Sequence, residues 1–118
     1  IGVTCIDIEE WRKSKPNQWV KEERRKQTLA ERLMGLIEGC DAAIALPGGA
    51  GTLTEVSLMW NLMIVESIPP RPLTLIGRGW QSTFDQFFND FETYMSIQQR
   101  ELLHFADDVK TAVDTLKS

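Results

Sequence analysis

Three glycines stand within four positions in the segment LPGGAGT, Leu46 to Thr52. Gly48, Gly49 and Gly51 carry no Cβ atoms to keep a ligand from the backbone, so Gly48, Gly49, Ala50, Gly51 and Thr52 together could turn a row of amide N–H groups toward an anion. If a helix starts at that point, its positive dipole end reinforces the same pull. The chemistry implied is anchoring of a phosphate. The plainer alternative is that the glycines serve only a tight turn. Neither common phosphate loop is present: no lysine follows the last glycine as a P-loop requires, and the spacing is not Gly-x-Gly-x-x-Gly. Nucleoside triphosphate hydrolysis and hydride transfer lose support accordingly.

Three residues after Thr52 comes Glu55. On the first turn of a helix that holds a phosphate, its carboxylate belongs beside a neutral part of the ligand, for which a sugar is the natural candidate; its alternative role is as capping partner of Thr52. A second charged residue follows from chain geometry. Stepping back from Pro47 at about 3.3 Å per strand residue, and returning along the preceding helix at about 1.5 Å per residue, brings Arg32 to the same edge. Arg32 and Glu55 then flank one mouth. Pairing of Arg32 with Glu31 or Glu38 is the competing reading.

These residues need elements to hold them. Ile1 to Cys5 reads as a strand already in progress, and Asp7 to Gln18, with Pro16 and Asn17, as a loop. The mixed-sign run KEERRK, Lys21 to Lys26, reads as a solvated helix or loop face. Thr28 and Glu31 have capping-box spacing and open a helix with the apolar face Leu29, Leu33, Leu36, Ile37 and Cys40, which Gly39 is placed to end in a left-handed conformation. Ala42 to Leu46 is a short apolar run suited to a strand buried on both faces. A second box, Thr52 to Glu55, opens a helix reaching about Glu66, before Pro69, Pro70 and Pro72. It is apolar nearly all round, which suits a deep core or a subunit interface. Strand Leu73–Ile76, a helix from Ser82 to about Met95, strand Leu102–Ala106 and a helix from Asp107 to Leu116 complete the order. Such alternation predicts an α/β fold: a Rossmann-like parallel sheet with helices on both faces.

The 118 residues make one domain by length, and 17 acidic against 13 basic residues give a net charge of −4. That sign opposes nucleic acid and anionic membrane surfaces, so a bound anion needs a local device such as the glycine turn. Cys5, Cys40 and His104 cannot assemble a four-ligand zinc site without carboxylates, and no Cys-x-x-Cys pair occurs. No apolar run approaches the roughly 18–20 residues that span a bilayer, and no secretory leader is visible. A cytoplasmic protein with reduced thiols is expected.

The segment Asp41 to Glu55, DAAIALPGGAGTLTE, resembles the Pro-Gly-Gly-x-Gly-Thr-x-x-Glu signature of the LOG family of cytokinin-activating phosphoribohydrolases, long labelled "possible lysine decarboxylase". The likeness continues through Trp60, Pro72, Leu73 to Ile76, Gly79 with Trp80, and the last strand and helix. It implies hydrolysis of the N-glycosidic bond of an adenosine 5′-monophosphate-like nucleotide, in a homodimer without metal or other cofactor. The family's Met-x-x-Arg-Lys arginine falls on Arg32, which would act with Glu55. Here the motif reads LAERL, so leucines replace the methionine and the lysine and one positive charge is lost. Against the family pattern, residues 1–118 form a single nucleotide-binding domain equivalent to its C-terminal two-thirds, lacking the first two strands. A decarboxylase would instead need pyridoxal phosphate and a Schiff-base lysine; the six lysines, Lys13, Lys15, Lys21, Lys26, Lys110 and Lys117, all fall away from the expected mouth.

The leading expectation is therefore a nucleoside monophosphate N-glycosidase, with dimerisation through the apolar helix Leu53 to Val65. A non-catalytic carrier or sensor of a nucleotide or phosphorylated cofactor is the alternative, and an assembly module a third.

Overall fold

The structure, a computed structural model, describes residues 2–5, 23–26 and 28–117. They fall into two units, Ile1–Cys40 and Asp41–Ser118. The loop read at Asp7 to Gln18 lies outside the described residues.

In the first unit, strand β1 (Gly2–Cys5) pairs in parallel with β2 (Glu23–Lys26), Gly2 opposite Glu23 and Cys5 opposite Lys26. The last four residues of the charge run are thus a strand, where the sequence pattern predicts a helix or loop face. Strand pairing is made by backbone groups, and four consecutive charged residues carry no apolar alternation that would announce it. Helix α1 (Leu29–Glu38) lies against both strands. Its start is as the spacing predicts: Thr28, in extended conformation, accepts the Glu31 N–H on Oγ1 at 3.1 Å. Leu33 and Ile37 are buried one turn apart, whereas Leu29 is exposed at the fraying end. Gly39 does close the helix, but with φ −85° it is right-handed, since a last bond from its N–H to Gly35 O needs no left-handed residue. The Cys40 thiol sits 3.3 Å from Ile37 O.

The second unit is built on a parallel sheet of order β3–β4–β5, comprising Ala43–Ala45, Leu73–Ile76 and Leu103–Ala106. Every residue of the central β4 is buried, Leu75 completely. A strand flanked on both sides in a parallel sheet is expected to read as the near-continuous apolar run found here. The outer strand β3 is only half-buried, against the expectation of full burial, because within this unit it pairs with β4 alone. Backbone bonds lengthen the ladders at opposite ends: Ala43 N–H donates to Pro72 O and Gly77 N–H to Ala106 O, both at 2.9 Å.

Helix α2 (Ala50–Ile64) buries Val56, Met59, Trp60 and Met63. It ends at Val65, and Glu66 turns the chain with a positive φ of 61° ahead of the prolines. Helix α3 (Arg78–Asp90) begins four residues before the expected Ser82 and buries Trp80 and Phe84. An aromatic cluster ties these helices together, with Trp60 edge-on to Phe84 at 6.0 Å and to Phe88 at 5.9 Å. A short helix α4 (Ile97–Arg100), not anticipated, carries its own Ser96–Gln99 capping box. Helix α5 (Val109–Lys117) follows β5, with the Asp108 carboxylate accepting Thr111 N–H at 2.7 Å. The unit is an α/β, Rossmann-like arrangement of parallel strands and helices. No helix among the described residues is long and apolar enough to cross a membrane.

Candidate functional site

Parallel strands bring all their carboxyl ends to one edge, and the crevice along that edge is where open α/β sheets bind ligands. Two strand-to-helix turns meet there in the second unit. The β3–α2 turn runs through Leu46, Pro47, Gly48 and Gly49; the β4–α3 turn is little more than Gly77. A cavity of about 200 Å³ opens between them, lined by Pro47, Gly48, Ile76, Gly79, Trp80 and Thr83.

The glycines of the first turn differ in what the fold asks of them. A Cβ at Gly48 would collide with Thr52 Oγ1 and lie 3.2 Å from Thr52 Cβ, so the hydroxyl of Thr52 fits against a bare α-carbon. At Gly49 and Gly51, a Cβ would meet nothing within 4 Å, and neither residue has positive φ. Among the described residues, no crowding requires glycine at these two positions. Their bareness leaves exposed backbone with open space in front of it.

Helix α2 starts earlier than the Thr52–Glu55 spacing suggests. Gly49 is the N-cap, among the described residues no side chain caps the helix, and no acidic residue stands in its first turn. Thr52 and Glu55 are therefore interior residues of α2, and the expected capping box at its start is replaced by a glycine cap. The N–H groups of Gly49, Ala50, Gly51 and Thr52 are the four that helix geometry leaves without an intrahelical acceptor. Uncapped amides, a positive dipole end and no opposing carboxylate in the first turn give this point the electrostatics of an anion site.

Glu55 moves from the first turn to the second. It is half-buried, about 7.5 Å along the axis from Ala50, and i+4 from Gly51, so it lies on the helix face directly behind the turn. The structure thus gathers Gly48, Gly49, Ala50, Gly51, Thr52 and Glu55 on one turn and one helix. Arg32 occupies the first turn of α1 in the other unit, half-buried, its N–H bonded to Thr28 O at 3.0 Å.

The β4–α3 turn carries the same kind of sequence signal as the first glycine turn, Gly77-Arg78-Gly79 directly after a strand. Gly77 caps α3 at φ +101°, a conformation that disfavours any L side chain. Trp80 sends its indole N–H across to Leu46 O at 3.0 Å. His104 lies within β5, exposed, opposite Thr74. Among the described residues no group of three His, Cys, Asp or Glu side chains could hold a metal ion. The described lysines of this unit, Lys110 and Lys117, are on α5, which follows the strand furthest from β3 in the sheet.

No curated protein matches the chain. A family model described as "possible lysine decarboxylase" matches residues 1–116. That span takes in both glycine turns and the parallel sheet between them, and the chain belongs to this family, the LOG family whose signature runs from Pro47 to Glu55.

Proposed function

We propose that the protein hydrolyses the N-glycosidic bond of an adenosine 5′-monophosphate-like nucleotide, releasing the free base and ribose 5-phosphate. The observation that carries this reading is the start of α2: four uncapped amides and two glycines with open space before them, at the carboxyl end of a parallel strand. In this reading the 5′-phosphate sits on the amides of Gly48, Gly49, Ala50, Gly51 and Thr52. Binding energy spent on that remote group holds the reacting sugar in place.

Breaking the bond between C1′ and the base nitrogen leaves oxocarbenium character on the ribose. A carboxylate beside the ring stabilises that charge and orients the attacking water. Glu55, behind the phosphate turn, is assigned this role. Water adds at C1′, the base departs on the opposite side, and the proton lost by water balances the one gained by the base. Arg32 is assigned to position Glu55, the ribose or the phosphate. With Leu33 where the family motif has lysine, one cation fewer is offered to the substrate.

The enzyme is proposed to act as a homodimer through Leu53 to Val65. Leu53 and Val65 are exposed, and a groove of about 570 Å³ between α2 and α3 is lined by Trp60, Phe87, Phe91 and Tyr94 among others. Apolar surface of this kind favours association.

The test is Glu55→Gln. Turnover of adenosine monophosphate, read as released adenine, is expected to fall by about 100-fold or more, the range typical of a positioned acid–base group, while the nucleotide still binds. A wild-type protein that binds the nucleotide and releases no base would support the carrier reading instead.

A further inference from the structure

Resting on the reading of the glycine turn as a phosphate site, we infer that Trp80 is the positioning residue of that turn. Trp80 is the third residue of α3, 8% exposed, and its indole N–H reaches back to Leu46 O at 3.0 Å. Leu46 is the residue from which the turn departs. The same carbonyl lies 3.7 Å from where a Cβ of Gly48 would stand, so the indole holds the peptide directly beneath the first glycine. Pro47, next in the chain, has no N–H with which to anchor itself. The Trp80 indole therefore ties the turn at its entry, and the Thr52 hydroxyl lies against the bare α-carbon of Gly48.

The base on which Trp80 stands is itself rigid. Gly77, at φ +101°, starts α3 immediately at the end of β4, and its N–H is tied to Ala106 O at 2.9 Å. An ideal Cβ at Gly77 would already touch Pro47 at 3.5 Å, so the two turns are close-packed. Trp80 also walls the cavity that Gly48 borders, so a change in its pose alters the turn and the space beside it together.

Trp60 supplies an internal control. It too is buried, 6% exposed, and it too donates its indole N–H to a backbone carbonyl, Gln99 O at 2.8 Å. Gln99 precedes β5, at the opposite edge of the parallel sheet from the glycine turn.

The experiment compares Trp80→Phe with Trp60→Phe in the full chain. Without ligand, the ¹⁵N–¹H resonances of Gly48, Gly49 and Gly51 are expected to move in Trp80→Phe and to stay in Trp60→Phe. The dissociation constant for ribose 5-phosphate is expected to rise about tenfold in the first variant alone, the equivalent of one misaligned charge-assisted hydrogen bond. Unmoved glycine resonances in Trp80→Phe, or equal weakening in both variants, overturns the assignment. Should Trp80→Phe not fold, wild-type protein decides. Titration with ribose 5-phosphate is expected to shift the Trp80 indole N–H and leave that of Trp60 in place, and turn amides that respond without Trp80 overturn the proposal. If the turn amides ignore ribose 5-phosphate altogether, the phosphate reading fails, while the ligand-free resonances of Trp80→Phe still decide the role of Trp80.

Discussion

Gly51→Ala separates what the fold needs at the glycine turn from what a ligand needs. Gly51 is the second residue of α2, its φ is not positive, and a methyl group there meets no atom of the described residues within 4 Å. Alanine at such a position restricts the unfolded chain without straining the folded one, a gain of about 0.4–1 kcal/mol. For a protein of this size that raises the melting temperature by roughly 2–6 °C. The same methyl group occupies the space in front of the amides where phosphate oxygens would approach. Loss of one charge-assisted hydrogen bond costs about 1.5–3 kcal/mol, so the nucleotide is expected to bind about 10- to 150-fold more weakly. Scanning calorimetry and titration calorimetry with adenosine monophosphate measure the two effects on one sample. A variant that melts higher and binds as wild type would refute the amide cradle; one that melts lower would refute the open space assigned to Gly51.

Gly48→Ala has the opposite signature: its Cβ collides with Thr52 Oγ1, and overpacking of this kind costs about 1–3 kcal/mol, part of which Gly48→Ala with Thr52→Ala is expected to recover in urea melts. Leu75→Ala removes a wholly buried side chain from the central strand and is expected to destabilise by about 2–5 kcal/mol in the same melts. The Thr111 backbone N–H, bonded to Asp108, holds that carboxyl below its ordinary value. A carboxylate depressed in the folded state stabilises above its unfolded value and loses that contribution as pH falls through the folded one. The stability difference between wild type and Asp108→Asn is therefore expected to be largest near neutrality and to shrink in acid, as measured by urea melts across pH.

The parts of the site that are legible in the sequence are those in which chemistry and local structure coincide. A run of glycines between an apolar strand and an apolar helix marks a strand-to-helix turn at the sheet edge, and the turn lies where the pattern predicts it. The helix starts beside it are less legible, for one physical reason: both α2 and α3 are capped by glycines, Gly49 and Gly77. Capping rules look for side-chain acceptors, so Thr52 stands out although the chain has already turned before it. At Thr28 and Ser96, where a hydroxyl does accept the N3 amide, the signal is real; the box at Ser96 is present in the sequence but too short a helix follows it to show periodicity. Glu23–Lys26 is beyond reach, because its pairing with β1 is a backbone interaction that four charged residues do not advertise. The contact between Trp80 and Leu46 spans 34 positions, and only the sheet order makes it visible.

The most direct test of the central claim is to measure base release by wild-type protein from adenosine 5′-monophosphate and from adenosine side by side. If the amides at the start of α2 hold the 5′-phosphate while Glu55 serves the sugar, adenine and ribose 5-phosphate appear in equal amounts from the monophosphate. In that case kcat/KM for the unphosphorylated nucleoside is lower by about 100-fold or more, since truncated substrates forfeit remote binding energy. No adenine from either compound, or equal rates from both, would contradict the account.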